Sequence, residues 1–289
     1  VKKMLADGSV FALMSCIGTP NNTAILPLVE DANVPYVAPL TGASSLRKPG
    51  IRNVFHVRAS YTDETHRLVQ KLVTMGIKNL AIVYLDNGFG KEVRDDAVHA
   101  LQSQGIQATA VVALATDGNN MGDAVNQALA GKPAAVLLGT AGAASAGLIT
   151  ALRKASPMLP MAGLSVTLTA DGVKNLGAAG TGLALTMVFP DALRPKQAIV
   201  RDYQTAMRAV GQSDLSSGSF EGYVNTRVLA EGLERAGREL TRSKLRSALA
   251  GIQKFDLGGF MVDFSAASPY VGSRYVDLGV LGASGRFLS

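Results

Sequence analysis

Tryptophan is absent from the 289-residue chain, cysteine occurs once and histidine three times. The lone Cys16 can close no internal disulfide, and a single thiolate does not make a structural zinc site. His56, His66 and His99 are too scattered to form an H-E-x-x-H pair, which removes the zinc-protease signature. Charged residues make up only 17% of the chain against 47% hydrophobic, a balance that excludes a disordered, solvating polypeptide. Long apolar runs are missing too. The longest, Val10–Gly18 and Leu183–Pro190, are of strand length and fall short of the roughly 20 residues of a membrane span, so no direct membrane insertion is expected.

The net charge is +6 and the isoelectric point about 9.5, which raises nucleic acid as a partner. The basic residues are dispersed, and the densest stretch, Arg227 to Arg246, interleaves Glu231, Glu234 and Glu239 with no aromatic residues spaced for base stacking. That pattern reads as a solvated helical face, and no nucleic-acid partner is expected.

What the sequence does have is alternation. Short apolar runs at Val10–Ser15, Pro35–Pro39, Val54–Val57, Asn79–Leu85, Thr109–Ala113, Ala134–Gly139, Pro160–Gly163 and Gly182–Phe189 read as strands. Between them lie segments of helical period, among them Tyr61–Met75, Lys91–Gln104, Gly122–Ala130 and Ala143–Ala155. Strand and helix in turn predict the α/β class, with parallel sheets covered on both faces in a doubly wound arrangement. After Phe189 the order changes: Pro195–Val210, Phe220–Ala236 and Thr241–Gly251 predict helices, and Gly258–Phe264 and Tyr275–Gly282 predict strands.

Enzyme signatures are missing as well. There is no G-x-S-x-G elbow and no phosphate loop, and the Gly-rich turn Gly139–Gly147 lacks both the G-x-G-x-x-G spacing and an acidic residue about 20 positions on to hold a ribose. Asp117 and Asp123 flank a polar loop that reads as a helix cap. The chain is therefore expected to be no enzyme and to use no cofactor and no metal.

The informative features are polar turns at the carboxyl ends of successive strands, where open α/β sheets bind ligands. One is Gly18-Thr19-Pro20-Asn21, in which Thr19 suits an N-cap and Pro20 the first helical position. The next is Pro39-Leu40-Thr41-Gly42-Ala43-Ser44-Ser45. Together they set hydroxyls beside helix-start N–H groups, which carry partial positive charge and can hold a carboxylate without an arginine. Ordinary capping at both places is the alternative.

Asp31-Ala32-Asn33-Val34-Pro35-Tyr36-Val37-Ala38-Pro39, Tyr84-Leu85-Asp86-Asn87-Gly88-Phe89-Gly90, Phe220-Glu221-Gly222-Tyr223 and the closing Asp256-Leu257-Gly258-Gly259 resemble the type I periplasmic solute-binding proteins of ABC transporters, in their leucine/isoleucine/valine-binding branch. The resemblance runs over essentially the whole chain. It implies two doubly wound lobes joined by three crossings, with ligand trapped between them by hinge closure. The crossings are expected near Arg58–Ser60, Pro190–Leu193 and Phe264–Pro269, which gives lobe one residues 1–59 and 191–263 and lobe two residues 60–190 and 264–289. Family members open with a strand, helix and strand ahead of the segment matching Val1–Leu5, so lobe one is expected to be incomplete, with an uncovered sheet edge.

The resemblance also implies site residues. Thr19 would grip the ligand carboxylate, with backbone and hydroxyl groups from Leu40, Thr41 and Gly42, and Ala43 and Ser44 just beyond. The family's aromatic position falls on Phe89 and a second tyrosine position on Ala141. The acidic residue that neutralises an amino group falls at Leu164 or Ser165, neither of which carries charge, leaving Asp86 or Glu221 as substitutes. Each has an alternative: Asp86 as a turn former, Glu221 as a helix cap. A buried ammonium without a carboxylate is costly, so the ligand is an amino acid if one of them substitutes and an aromatic or short aliphatic acid otherwise. The implied partners are a small carboxylate ligand and an ABC membrane permease, and the implied location is the periplasm. A ligand-sensing receptor or regulatory domain of the same fold is the alternative function.

Overall fold

The computed structural model describes residues 1–288, which divide into two compact units, residues 1–60 with 189–275 and residues 61–188 with 276–288.

The first unit starts with a short helix, α1 (Lys2–Ala6), and the strand β1 (Leu13–Met14). Helix α2 (Thr19–Asp31), β2 (Tyr36–Val37) and β3 (Val54–His56) follow. The three strands pair in parallel, Leu13 opposite Tyr36 and Val37 opposite Phe55, and both faces of β2 are buried. Val29, Val34, Tyr36 and Val54 pack together beneath them, so the period-3.6 apolar face of α2 meets the inward side chains of the sheet.

The second unit alternates regularly through α3 (Tyr61–Thr74), β4 (Leu80–Leu85), α4 (Gly88–Gln102), β5 (Ala110–Leu114), α5 (Met121–Ala130), β6 (Ala135–Gly139), α6 (Gly142–Ala155), β7 (Met161–Gly163), α7 (Ala170–Leu176) and β8 (Ala184–Met187). Ala81, Ile82 and Val83 of β4 and all of β6 are buried, as central parallel strands covered on both faces must be.

The chain returns to the first unit with α8 (Ala198–Ala209), α9 (Ser217–Ala236), α10 (Arg242–Ala250) and a small antiparallel pair, β9 (Phe255–Asp256) and β10 (Met261–Val262). Strand β11 (Tyr270–Val271) then joins β3 in parallel, and the first sheet runs β1-β2-β3-β11. Strands β12 (Asp277–Leu281) and β13 (Phe287–Leu288) close the second sheet in the order β13-β12-β8-β7-β6-β4-β5.

Two sequence expectations change. Strand β12 runs antiparallel to β8 and β13 antiparallel to β12, so the second sheet is parallel only from β8 to β5. The compact units meet along the chain at Tyr275–Val276, later than the expected crossing at Phe264–Pro269, because β11 pairs with β3 and Phe264 stacks edge-on to Phe55. The other two junctions, Ser60–Tyr61 and Val188–Phe189, lie within a few residues of expectation. Strand β1 stands at one edge of the first sheet, with Met14 and Ile17 exposed.

Candidate functional site

In the first unit, the turns after β1 and β2 come together. Ile17 bridges Leu40 in parallel, the Leu40 N–H donates to Cys16 O at 3.0 Å, and the Gly18 N–H donates back to Leu40 O at 3.4 Å. This small extension of the sheet carries Thr19 and Thr41 side by side, their hydroxyl oxygens 2.8 Å apart and both nearly buried. Thr41 Oγ1 also accepts the Ala43 N–H at 3.2 Å. Two hydroxyls that share one hydrogen bond use one proton between them, which leaves the other proton for an acceptor outside the pair. Among the described residues no protein group takes the N–H of Thr19 or Gly42, and Pro20 has none to offer. The arrangement is donor-rich, and its helix start adds positive potential.

The backbone at this point differs from expectation by one residue. Gly18, at φ +95°, is the N-cap of α2, and Thr19 is the first helical residue with Pro20 second. Thr19 therefore makes no capping bond, and its hydroxyl is free to meet Thr41. Asn22 ties the helix start to the strand end: its side-chain amide donates to Cys16 O and Gly18 O, both at 2.9 Å, and its oxygen accepts the buried Tyr36 phenol. Burial holds that phenol's pKa far above its ordinary value, so it stays a neutral donor. Ser44 opens a single turn of 3-10 helix, with Ala43 before it.

Below the Thr41 turn lies a charged layer. The Arg47 guanidinium reaches Thr41 O, Arg58 O and Ala59 O at 3.2–3.4 Å, binding the turn to the segment after β3. Arg58, 2% exposed, pairs with Glu221 at 3.5 Å. Glu221 is not the cap of α9; that role belongs to Ser216, which forms a reciprocal capping box with Ser219.

In the second unit, Asp86, Phe89, Ala141 and Ser165 follow the carboxyl ends of β4, β6 and β7, which are neighbours in the sheet. The winding direction reverses between β4 and β6, the position at which open sheets hold ligands. Phe89 is buried and packs edge-on to Tyr61 at 4.9 Å. Ala141 caps α6 and stays half-buried. Asp86 pairs with Lys91 at 2.8 Å, both half exposed, while Asn87 caps α4 through the Gly90 N–H. Leu164 is buried and the Ser165 N–H donates to Glu64 at 2.8 Å. Among the described residues no three His, Cys, Asp or Glu side chains gather as metal ligands, and no helix is long and apolar enough to cross a membrane.

A family profile for periplasmic binding proteins matches residues 1–269. The chain belongs to that family. A substrate-binding periplasmic protein from Ralstonia solanacearum is similar over 99% of this chain and 82% of its own, at 31% identity and a TM-score of 0.90. A possible leucine/isoleucine/valine-binding protein from Rhodopirellula baltica covers 99% and 79% at 25% identity and 0.89. A Thermus thermophilus branched-chain amino acid ABC transporter protein, solved with valine bound, shares the fold at 17% identity over 99% and 78%, with a TM-score of 0.84. No curated protein matches the chain. The fold is the type I periplasmic binding protein fold, and the family gives the chain a solute-binding role.

The structure of this periplasmic binding protein shows what the acidic residues at these strand ends touch. Glu221 is paired with Arg58, and Asp86 with Lys91. Glu64 was missed. It comes from the first turn of α3, is fully buried, and takes the Ser165 N–H and the Thr186 hydroxyl on one carboxylate oxygen. Its sequence signal is an acidic residue on the mainly apolar, buried side of an amphipathic helix.

Proposed function

We propose that this periplasmic binding protein binds a small carboxylate and delivers it, chemically unchanged, to the membrane permease of an ABC import system in the periplasm. The observation that carries the reading is the Thr19–Thr41 hydroxyl pair, 2.8 Å apart at the joined ends of β1 and β2 and beside the first turn of α2. A carboxylate accepts from a spare hydroxyl proton and from helix-start N–H groups, and charge-assisted bonds of this kind are about twice as strong as neutral ones. The relatives named as ABC transporter and leucine/isoleucine/valine-binding proteins support the import role.

The ligand we favour has no ammonium group. Position 164 is leucine and 165 serine, Asp86 and Glu221 are each paired with a cation, and the buried Glu64 carboxylate is engaged by the Ser165 N–H and the Thr186 hydroxyl. Buried Phe89 offers an apolar ring and no hydrogen bond. An aromatic or short branched aliphatic acid suits these residues. The valine held by the Thermus relative keeps an amino acid as the second reading.

Thermal unfolding in the presence of benzoate, 3-methylbutanoate, valine and the neutral amide 3-methylbutanamide tests both. Stabilisation by one of the plain acids, with no response to the amide, is the expected result. A response to valine alone moves the assignment to amino acids and retains the carboxylate grip. No response to any carboxylate overturns the function.

A further inference from the structure

The Thr19 and Thr41 turns sit at the carboxyl ends of β1 and β2, and the first unit has a polar hollow at the opposite end of the same sheet. Its volume is about 440 Å³, and it is lined by Ala32, Asn33, Asn53, Thr241, Arg242, Ser243 and Arg246. Asn33 precedes β2 and Asn53 immediately precedes β3. Thr241 to Arg246 are the cap and first turns of α10.

Every charge on this lining is positive. Arg242 is tied to main-chain oxygens of Ala32 and Val10 and meets no carboxylate among the described residues. Arg246 is half-buried, with no ion-pair or hydrogen-bond partner among them. The Thr241 hydroxyl accepts the Lys244 N–H and the Thr241 carbonyl accepts the Leu245 N–H, so the Arg242 and Ser243 N–H groups remain the open donors of the helix start. Glu30 has both carboxylate oxygens occupied by the N–H groups of Arg52 and Asn53.

A second, independent feature points to a ligand. Asn53 is fully buried, yet neither its side-chain nitrogen nor its oxygen has a partner among the described residues. Leaving a buried amide unmet is costly, and buried polar groups are nearly always satisfied by protein, water or ligand. Asn53 borders the same hollow as the Arg242 and Arg246 side chains and the start of α10.

The geometry points to a binding site for a small oxyanion, a phosphate or carboxylate group, in this hollow. The anion sits on the Arg242 and Ser243 N–H groups, Arg246 folds over it, and the Asn53 amide turns its nitrogen toward it. The site is separate from the Thr19–Thr41 turn, so the protein holds two anions at opposite ends of one sheet. The basic stretch that in sequence reads as a solvated helical face thus includes a receptor for charge.

Inorganic phosphate is the probe, titrated against chloride at constant ionic strength, with amide nitrogen–proton spectra as the readout. The expected result is saturable movement of the Arg242 and Ser243 amide signals with a dissociation constant at or below about 1 mM. R246Q weakens binding about tenfold, the worth of one charge-assisted bond. S243P removes one N–H in the first turn of α10 and weakens binding with the charge intact, the far-ultraviolet helix signal and melting midpoint showing that the helix start is kept. T41V leaves the phosphate titration unchanged, which separates this site from the carboxylate turn. Shifts that grow without saturating, or R246Q and S243P proteins that fold and bind as the parent does, overturn the site.

Discussion

At the scale of single residues, the Thr19–Thr41 pair makes the sharpest prediction. T41V keeps the shape of the side chain, removes the shared proton and strips the Ala43 N–H of its acceptor. Ligand affinity should fall about tenfold to a hundredfold in calorimetric titration, with T41S recovering most of it. His56 gives a pH dependence. It is fully buried in β3, donates from Nε2 to Leu46 O at 2.9 Å, and is held well below its ordinary pKa by burial first and by the Arg47 charge second. The native state therefore refuses a proton that the unfolded chain accepts below about pH 6.5. Stability falls as pH drops through that window, by up to about 1.4 kcal/mol per unit, and His56 contributes no slope above it. H56Q retains a donor for Leu46 O and should flatten the slope in denaturant titrations between pH 6.5 and 5. Such residues show how far the sequence could be read. Thr19 and Thr41 were visible because hydroxyls after strands have a geometric meaning, whereas the Arg58–Glu221 partnership joins positions 163 residues apart and only folding reveals it.

At the scale of elements, the α/β alternation was legible because buried parallel strands and amphipathic helices have different periods. What escaped were pieces too short to show a period: β9, β11 and β13 of two residues each, and the seven-residue α7. The one-residue shift of the α2 cap has the same character, since Gly18 wins by reaching φ +95° at no steric cost while Thr19 would be strained there. Helix α4 offers a stability test. It begins on Asn87 and lies so close to β4 that a Cβ on Gly90 would stand 2.1 Å from Leu85 O and 2.6 Å from Leu85 N, backbone atoms that cannot swing aside. G90A should lose about 1–3 kcal/mol or more in chemical unfolding, whereas G88A, on the same helix with open space around it, should change little. The Arg58–Glu221 pair links the segment after β3 to α9: E221A takes a carboxylate away from a buried guanidinium, a loss of up to about 3–5 kcal/mol. A double replacement, R58M with E221L, should return much of it, because the ions are expensive to bury and the space can be filled with apolar atoms.

At the scale of the whole molecule, the test is how ligand and proton act together. A carboxylate held on hydroxyls and main-chain amides, with no ammonium to pair, binds only in its ionised form. At a free concentration 100-fold above the dissociation constant it stabilises the protein by about 2.7 kcal/mol. That amounts to a midpoint shift of roughly 5–10 °C for domains of this size. As pH falls, the unliganded protein should begin to weaken below about 6.5 through His56, while the ligand-induced shift holds until the acid itself protonates near pH 4–5. Below that, affinity drops tenfold for each further unit. The two effects therefore separate on one set of melting curves, the midpoint without ligand bending first and the difference between curves bending later. A ligand-induced shift that survives unchanged at pH 3.5 would mean that the bound group is not an anion, and the donors at the ends of β1 and β2 would then need another occupant.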